Sequence, residues 1–217
     1  MCSDPACLGY ALILVLVGFA VLIYVLLKYR KKLFKQALLI TADQVWANIS
    51  DRATTSGHTK SDLLFGIWQE ATPTEMIMLV RNHENDLVGR VEFPMGQRNW
   101  KISIGEERFE IDFPLTWNRT ADLRRENSEA ILASYSIGSS FGLNGSSFGG
   151  RHFDISGYGN LVSERLNFSR LKVANYQLNK ILVGTSQEIS RVRQTGRLIL
   201  FASSLPLQVR IFLLVLS

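Results

Sequence analysis

The sequence predicts a mainly β protein: a closed β-barrel around a buried C-terminal hydrophobic helix, preceded by one transmembrane α-helix. Three observations predict it. An unbroken apolar run, Leu8 to Leu27, stands near the N-terminus. Short apolar alternations separated by turn residues fill the chain from Leu63 onward, the period-two pattern of sheets with one wet face. The chain then closes on Leu205 to Leu216, apolar at nearly every position.

The first run is 20 residues long, without a charge, Pro, Asn or Gln. At about 1.5 Å per residue it matches a hydrocarbon core of roughly 30 Å. Met1 to Cys7 carries no Lys or Arg, and no small-residue cleavage site follows Leu27, so a permanent anchor is expected rather than a signal peptide. Tyr10, Tyr24 and Tyr29 lie where interfacial aromatics belong. Lys28, Arg30, Lys31, Lys32 and Lys35 follow with no acid among them. Cation-rich flanks stay in the cytoplasm, so the expected topology is single-pass in the cell membrane, with residues 1–7 outside and the C-terminal domain cytoplasmic.

The same cluster explains the formal charge of +5. Setting aside those five cations and Asp4 leaves 19 basic and 18 acidic residues from Gln36 to Ser217, a net +1. A nearly neutral domain has no overall basic footprint, which excludes nucleic acid as the expected partner. The two cysteines, Cys2 and Cys7, both lie in the outer tail. They allow an intermolecular disulfide or an acylated thiol, and an incidental role is favoured.

Residues 28–62 read as a basic juxtamembrane segment and connector, polar from Asn48 to Asp62 with Thr54-Thr55-Ser56-Gly57 at its centre. Residues 63–217 read as the barrel domain. Met76 to Val80 and Leu87 to Phe93 flank an Asn82–Asp86 turn. Trp100, Ile102 and Ile104 pair through Gly105-Glu106-Glu107 with Phe109, Ile111 and Phe113 as a hairpin. Further runs lie at 130–137, 152–155, 172–178, 180–183 and 196–202. Nine to eleven strands are expected, enough for a barrel or sandwich.

A terminal helix over 205–216 has Ser204 as its N-cap and Pro206 in its first turn. Twelve residues reach about 18 Å, too short for a bilayer and suited to a protein core. A second span over 198–217 is the alternative, opposed by Pro206, Ser203-Ser204 and Arg210. A mid-span arginine costs about 2.5–3.5 kcal/mol on insertion scales.

Many short strands followed by an apolar terminal helix resembles the tubby C-terminal-like superfamily, which includes tubby, the phospholipid scramblases and the LURP-one-related proteins. The residues that carry the resemblance are Asp86 to Val91, Trp100 to Phe113, Phe153 to Val162 with Gly157 and Gly159, and Ser204 to Leu216. The resemblance implies a closed barrel threaded by the C-terminal helix, and association with phospholipid: phosphoinositide headgroups for tubby-like domains, calcium and lipid movement for scramblases. No Asp-x-Asp-x-Asp-Gly calcium loop occurs here, which speaks against calcium-dependent scrambling, and no family headgroup residue transfers to a position of this chain.

Catalytic signals are incomplete. Gly138–Gly142 and Gly145–Gly149 match Gly-x-Ser-x-Gly, but no acid lies between Ser147 and His152 and no helix is expected after either serine, so both read as loops. Gly145 to Gly150 lacks the Lys-Ser/Thr of a P-loop, and Gly157-Tyr158-Gly159 lacks a third glycine. His58, His83 and His152 have no metal-ligand spacing. Neither catalytic residues, cofactor nor metal is expected. Sequons at Asn48, Asn118, Asn144 and Asn167 would be inert in a cytoplasmic domain.

Two weaker binding signals remain. Arg191, Arg193 and Arg197 form the compact basic group of the domain, a candidate contact for anionic headgroups or a solvated strand end. Phe141 and Phe148 sit in the repeated Ser-Ser-Phe-Gly and could dip from a loop into an apolar partner. The expected function is therefore recognition of phospholipid headgroups, anionic or phosphoinositide, or of a membrane protein, at a lipid bilayer. The alternative is a scaffolding subunit of a membrane complex without lipid specificity.

Overall fold

The computed structural model describes residues 5–72, 74–94, 96–113, 120–137, 151–168, 171–179, 181–189, 196–201 and 204–216; for 5–12, 27, 30, 31, 33, 34, 36–38, 137, 164–168, 171–174 and 182 it describes the backbone alone. The chain divides into two compact units, Met1–Leu39 and Ile40–Ser217.

The first unit is one helix, α1 (Pro5–Leu38), with no acid in its sequence and Lys35 in its last turn. It takes in the residues expected to cross a membrane, and that expectation is corrected. Among the described residues no helix is long and apolar enough to cross a membrane.

The second unit is built on twelve strands: β1 (Leu63–Thr72), β2 (Glu75–Asn82), β3 (Leu87–Pro94), β4 (Asn99–Ile104), β5 (Glu107–Asp112), β6 (Thr120–Arg125), β7 (Ile131–Ile137), β8 (Arg151–Ile155), β9 (Gly159–Phe168), β10 (Leu171–Leu178), β11 (Ile181–Glu188) and β12 (Gly196–Phe201). Each pairs antiparallel with its sequence neighbours, and β1 pairs with β12 from Leu63↔Leu200 to Ile67↔Gly196, closing the barrel. Closure removes every sheet edge. The turns before β3, β7 and β11 each hold an asparagine in the left-handed region, Asn85, Asn127 and Asn179, the non-glycine residue that best tolerates it.

The barrel interior is occupied by a terminal helix, α4 (Leu207–Leu216), which begins two residues later than expected. Its residues 209–215 are all buried, within a core that includes Leu64, Val91, Ile102, Ile111, Leu123, Phe153 and Tyr176. Glycines make room for it: a Cβ on Gly89 would lie 2.6 Å from Ile211 Cδ1. The stretch weighed as a second span thus divides between strand β12 and a ten-residue helix.

Residues 40–62, read as a connector, fold onto the barrel. Helix α2 (Ala42–Ala47) starts with a capping box between Thr41 and Gln44, α3 (Ser50–Thr55) follows, and Thr59 and Asp62 box a 3-10 turn at Lys60–Asp62. The Ser, Thr and Asp residues that suggested a loop act here as caps. Ile40, Ala42, Val45, Ile49 and Ala53 are buried, as are the outward residues Leu63, Phe65 and Ile67 of β1.

Candidate functional site

Two places concentrate unusual chemistry, one in each unit. On α1, Val25, Lys28, Tyr29, Lys32 and Lys35 recur at three- and four-residue intervals and so share one face. All five side chains are exposed along it. The three lysines are exposed and span about 10 Å along the axis. With no acid in the helix, their charge is uncompensated within it. Arg30 and Lys31, from the same predicted cluster, have side chains outside the described residues. N-terminal to this face the large apolar side chains from Ile13 to Leu26 are uncovered, from 44% exposed at Ile23 to 72% at Leu14.

The other place is the end of the barrel that the last turn of α4 reaches. A helix leaves its final carbonyls without partners, and here the barrel wall supplies donors. The Tyr176 hydroxyl donates to Leu213 O at 3.4 Å and lies 3.3 Å from Ser186 Oγ. The Arg197 guanidinium donates to Val215 O at 2.8 Å, and Arg151 Nη1 donates to Leu216 O. The cations also face the negative end of the helix dipole. Burial pushes the Tyr176 phenol up to about 12, against the lowering effects of the Ser186 hydrogen bond and of Arg151 and Arg197. Ser163 Oγ, also buried, has no hydrogen-bond partner among the described residues.

At the opposite end, Arg210 is the one charge of α4 and is only 8% exposed. Its Nη2 donates to Asp62 O at 2.6 Å. Desolvation lowers its pKa and the nearby Asp62 charge opposes that. His58 Nδ1 lies 3.7 Å from the Asp62 carboxylate.

Of the predicted contacts, the structure brings Lys28, Lys32 and Lys35 together and sets Arg197 inside the barrel against α4. Arg191, Arg193, Phe141 and Phe148 lie outside the described residues, as do both Gly-x-Ser-x-Gly segments. Sequence reasoning missed the cap formed by Tyr176, Arg151 and Arg197, because it joins three strands to a helix distant in sequence. It also missed a cluster of half-buried rings, Trp68, Phe93 and Trp100, at the same barrel end. Comparison with known proteins returns no matching family model, no matching curated protein and no matching solved structure, so the functional reading rests on this chain's own geometry.

Proposed function

We propose that the protein binds anionic phospholipid at a membrane surface through α1. The observation that carries this reading is the exposed face of that helix on which Lys28, Lys32 and Lys35 align, with no acid in the helix. It is continuous in sequence with an uncovered apolar stretch. Uncovered apolar surface of this extent marks a place of association with lipid or protein, and adjoining cations select an anionic surface at about 1 kcal/mol each. The barrel then serves as a rigid body held at that surface. The relationship to tubby-like proteins is part of the same proposal. What supports it is the closed barrel around an apolar terminal helix.

Flotation of the full chain tests the reading. It should rise with vesicles containing phosphatidylserine in phosphatidylcholine and rise much less with phosphatidylcholine alone. The preference should collapse at 1 M salt, where the Debye length falls to about 3 Å. Equal flotation with both vesicle types, or none with either, would remove the proposal.

A further inference from the structure

We infer that the barrel mouth at which α4 begins is a docking site for the basic, apolar α1 of a second copy of this chain. Beyond α1 and Leu39, three large hydrophobic residues are exposed among the described residues: Leu87 at 60%, Ile131 at 43% and Ile181 at 69%. Apolar side chains exposed singly over a surface need no partner, but these three are not scattered. Leu87 opens β3, Ile131 opens β7 and Ile181 opens β11. In a barrel of consecutive antiparallel strands, every turn that leads into an odd strand lies at one end. At that end β12 finishes, and β1 and α4 begin.

The three residues also share the inner face of the wall. Leu87 alternates with Gly89 and Val91, and Ile131 with Ala133 and Tyr135, all buried. Ile181 lies opposite Leu178, two residues along β10 from the buried Tyr176. Deeper in the barrel this face meets the core; at the mouth it meets solvent. β3, β7 and β11 stand four strands apart around the closed sheet, so their apolar tips ring the opening, and half-buried Ile104, Leu178 and Leu207 add to it.

Size and charge select the occupant. Strands about 4.8 Å apart and tilted about 40°, twelve of them here, close into a ring roughly 24 Å across. The uncovered run Ile13 to Leu26 of α1 extends about 20 Å along its axis. The turns of the mouth expose Glu84, Asp86, Glu106, Glu107 and Glu129. Glu107 pairs with Arg125 at 2.7 Å and Glu84 lies 3.8 Å from His83. The remaining acids repel an anionic bilayer and attract the face of α1 that carries Lys28, Lys32 and Lys35 with no acid. Within one chain only Leu39 to Thr41 separate α1 from α2, so covering its own mouth requires α1 to reverse in three residues; a second copy needs no such reversal. Each copy offers one helix and one mouth, a heterologous contact. The inference concerns what covers α1 away from a membrane and does not rest on the lipid reading.

Isotope-labelled and unlabelled full chains, mixed without lipid and treated with a zero-length carbodiimide crosslinker, test the site. Amides joining Lys28, Lys32 or Lys35 of labelled chains to Glu84, Asp86, Glu106 or Glu129 of unlabelled chains are expected. The mass in solution should exceed that of one chain and fall as salt is raised. Lys28→Glu/Lys32→Glu/Lys35→Glu should weaken association about tenfold, the scale of three exposed ion pairs, as should Glu84→Lys/Asp86→Lys/Glu129→Lys, and a mixture of the two variants should restore it. If a variant does not fold, the wild-type crosslinks still decide. Crosslinks confined to chains of one label would assign the mouth to the chain's own α1. That result, a mass of one chain at every concentration, or association unchanged by either folded variant would overturn the inference.

Discussion

Tyr176 shows how one side chain can join the wall of the barrel to its filling. Its ring lies in the aromatic core, 5.7 Å from Phe153 and 5.6 Å from Phe201, and its hydroxyl reaches a carbonyl in the last turn of α4. A phenol buried this fully resists ionisation, and its pKa is about 12 against an ordinary 10.0. The folded state therefore holds the proton more tightly than the unfolded chain. The resulting stability is complete below about pH 10 and is lost as the pH rises toward 12, a contribution on the order of a few kcal/mol. Urea unfolding between pH 8 and pH 12 should show this alkaline fall, and Tyr176→Phe should flatten it. An equally steep fall in the variant would assign it to other groups.

At the scale of elements, α4 and the strands around it were partly legible in the sequence. Alternation marked β3, β4 and β5, because one face of each is apolar and the other charged, as in Ile102 beside Lys101 or Ile111 beside Glu110. It failed for β1, against which α2 packs and where Leu63 to Ile67 are buried on both sides. It failed again for β6, whose inward residues are only Ala121 and Leu123. The polar stretch after Asn48 misled for a different reason: caps and loops draw on the same residues. The apolar run of α1 was legible as a helix, while the membrane span read from it is corrected.

Close packing between elements yields a prediction the sequence could not make. Gly184 of β11 faces Phe201 of β12 across the ladder, and a Cβ there would meet the Phe201 ring and lie 2.8 Å from the backbone oxygen of Leu200. Backbone cannot yield as a flexible side chain can. Gly184→Ala should destabilise the barrel by about 1–3 kcal/mol, the usual cost of overpacking a filled core, read as a lower urea midpoint with an unchanged slope. A variant as stable as wild type would show that β11 and β12 can move apart.

At the scale of the whole molecule, the charge that the composition reports as +5 is concentrated on α1, while the barrel unit is almost neutral and its interior is filled by its own terminal helix. Among the described residues α4 fills the barrel interior, and the proposed recognition surface is the lysine face of α1. Those lysines were legible in the sequence as a cluster, since five cations without an acid stand out in any reading. Their sharing one face with Tyr29 needed the helix.

The central claim, that α1 binds anionic lipid by this face, is tested most directly by reversing its charge. Flotation of Lys28→Glu/Lys32→Glu/Lys35→Glu should be compared with wild type across a series of phosphatidylserine contents. Removing three contacts of about 1 kcal/mol should weaken binding roughly 100-fold, and more with the added repulsion. The account predicts that the variant, folded by circular dichroism, loses the dependence on phosphatidylserine. Wild-type affinity with the same dependence in the variant would contradict it.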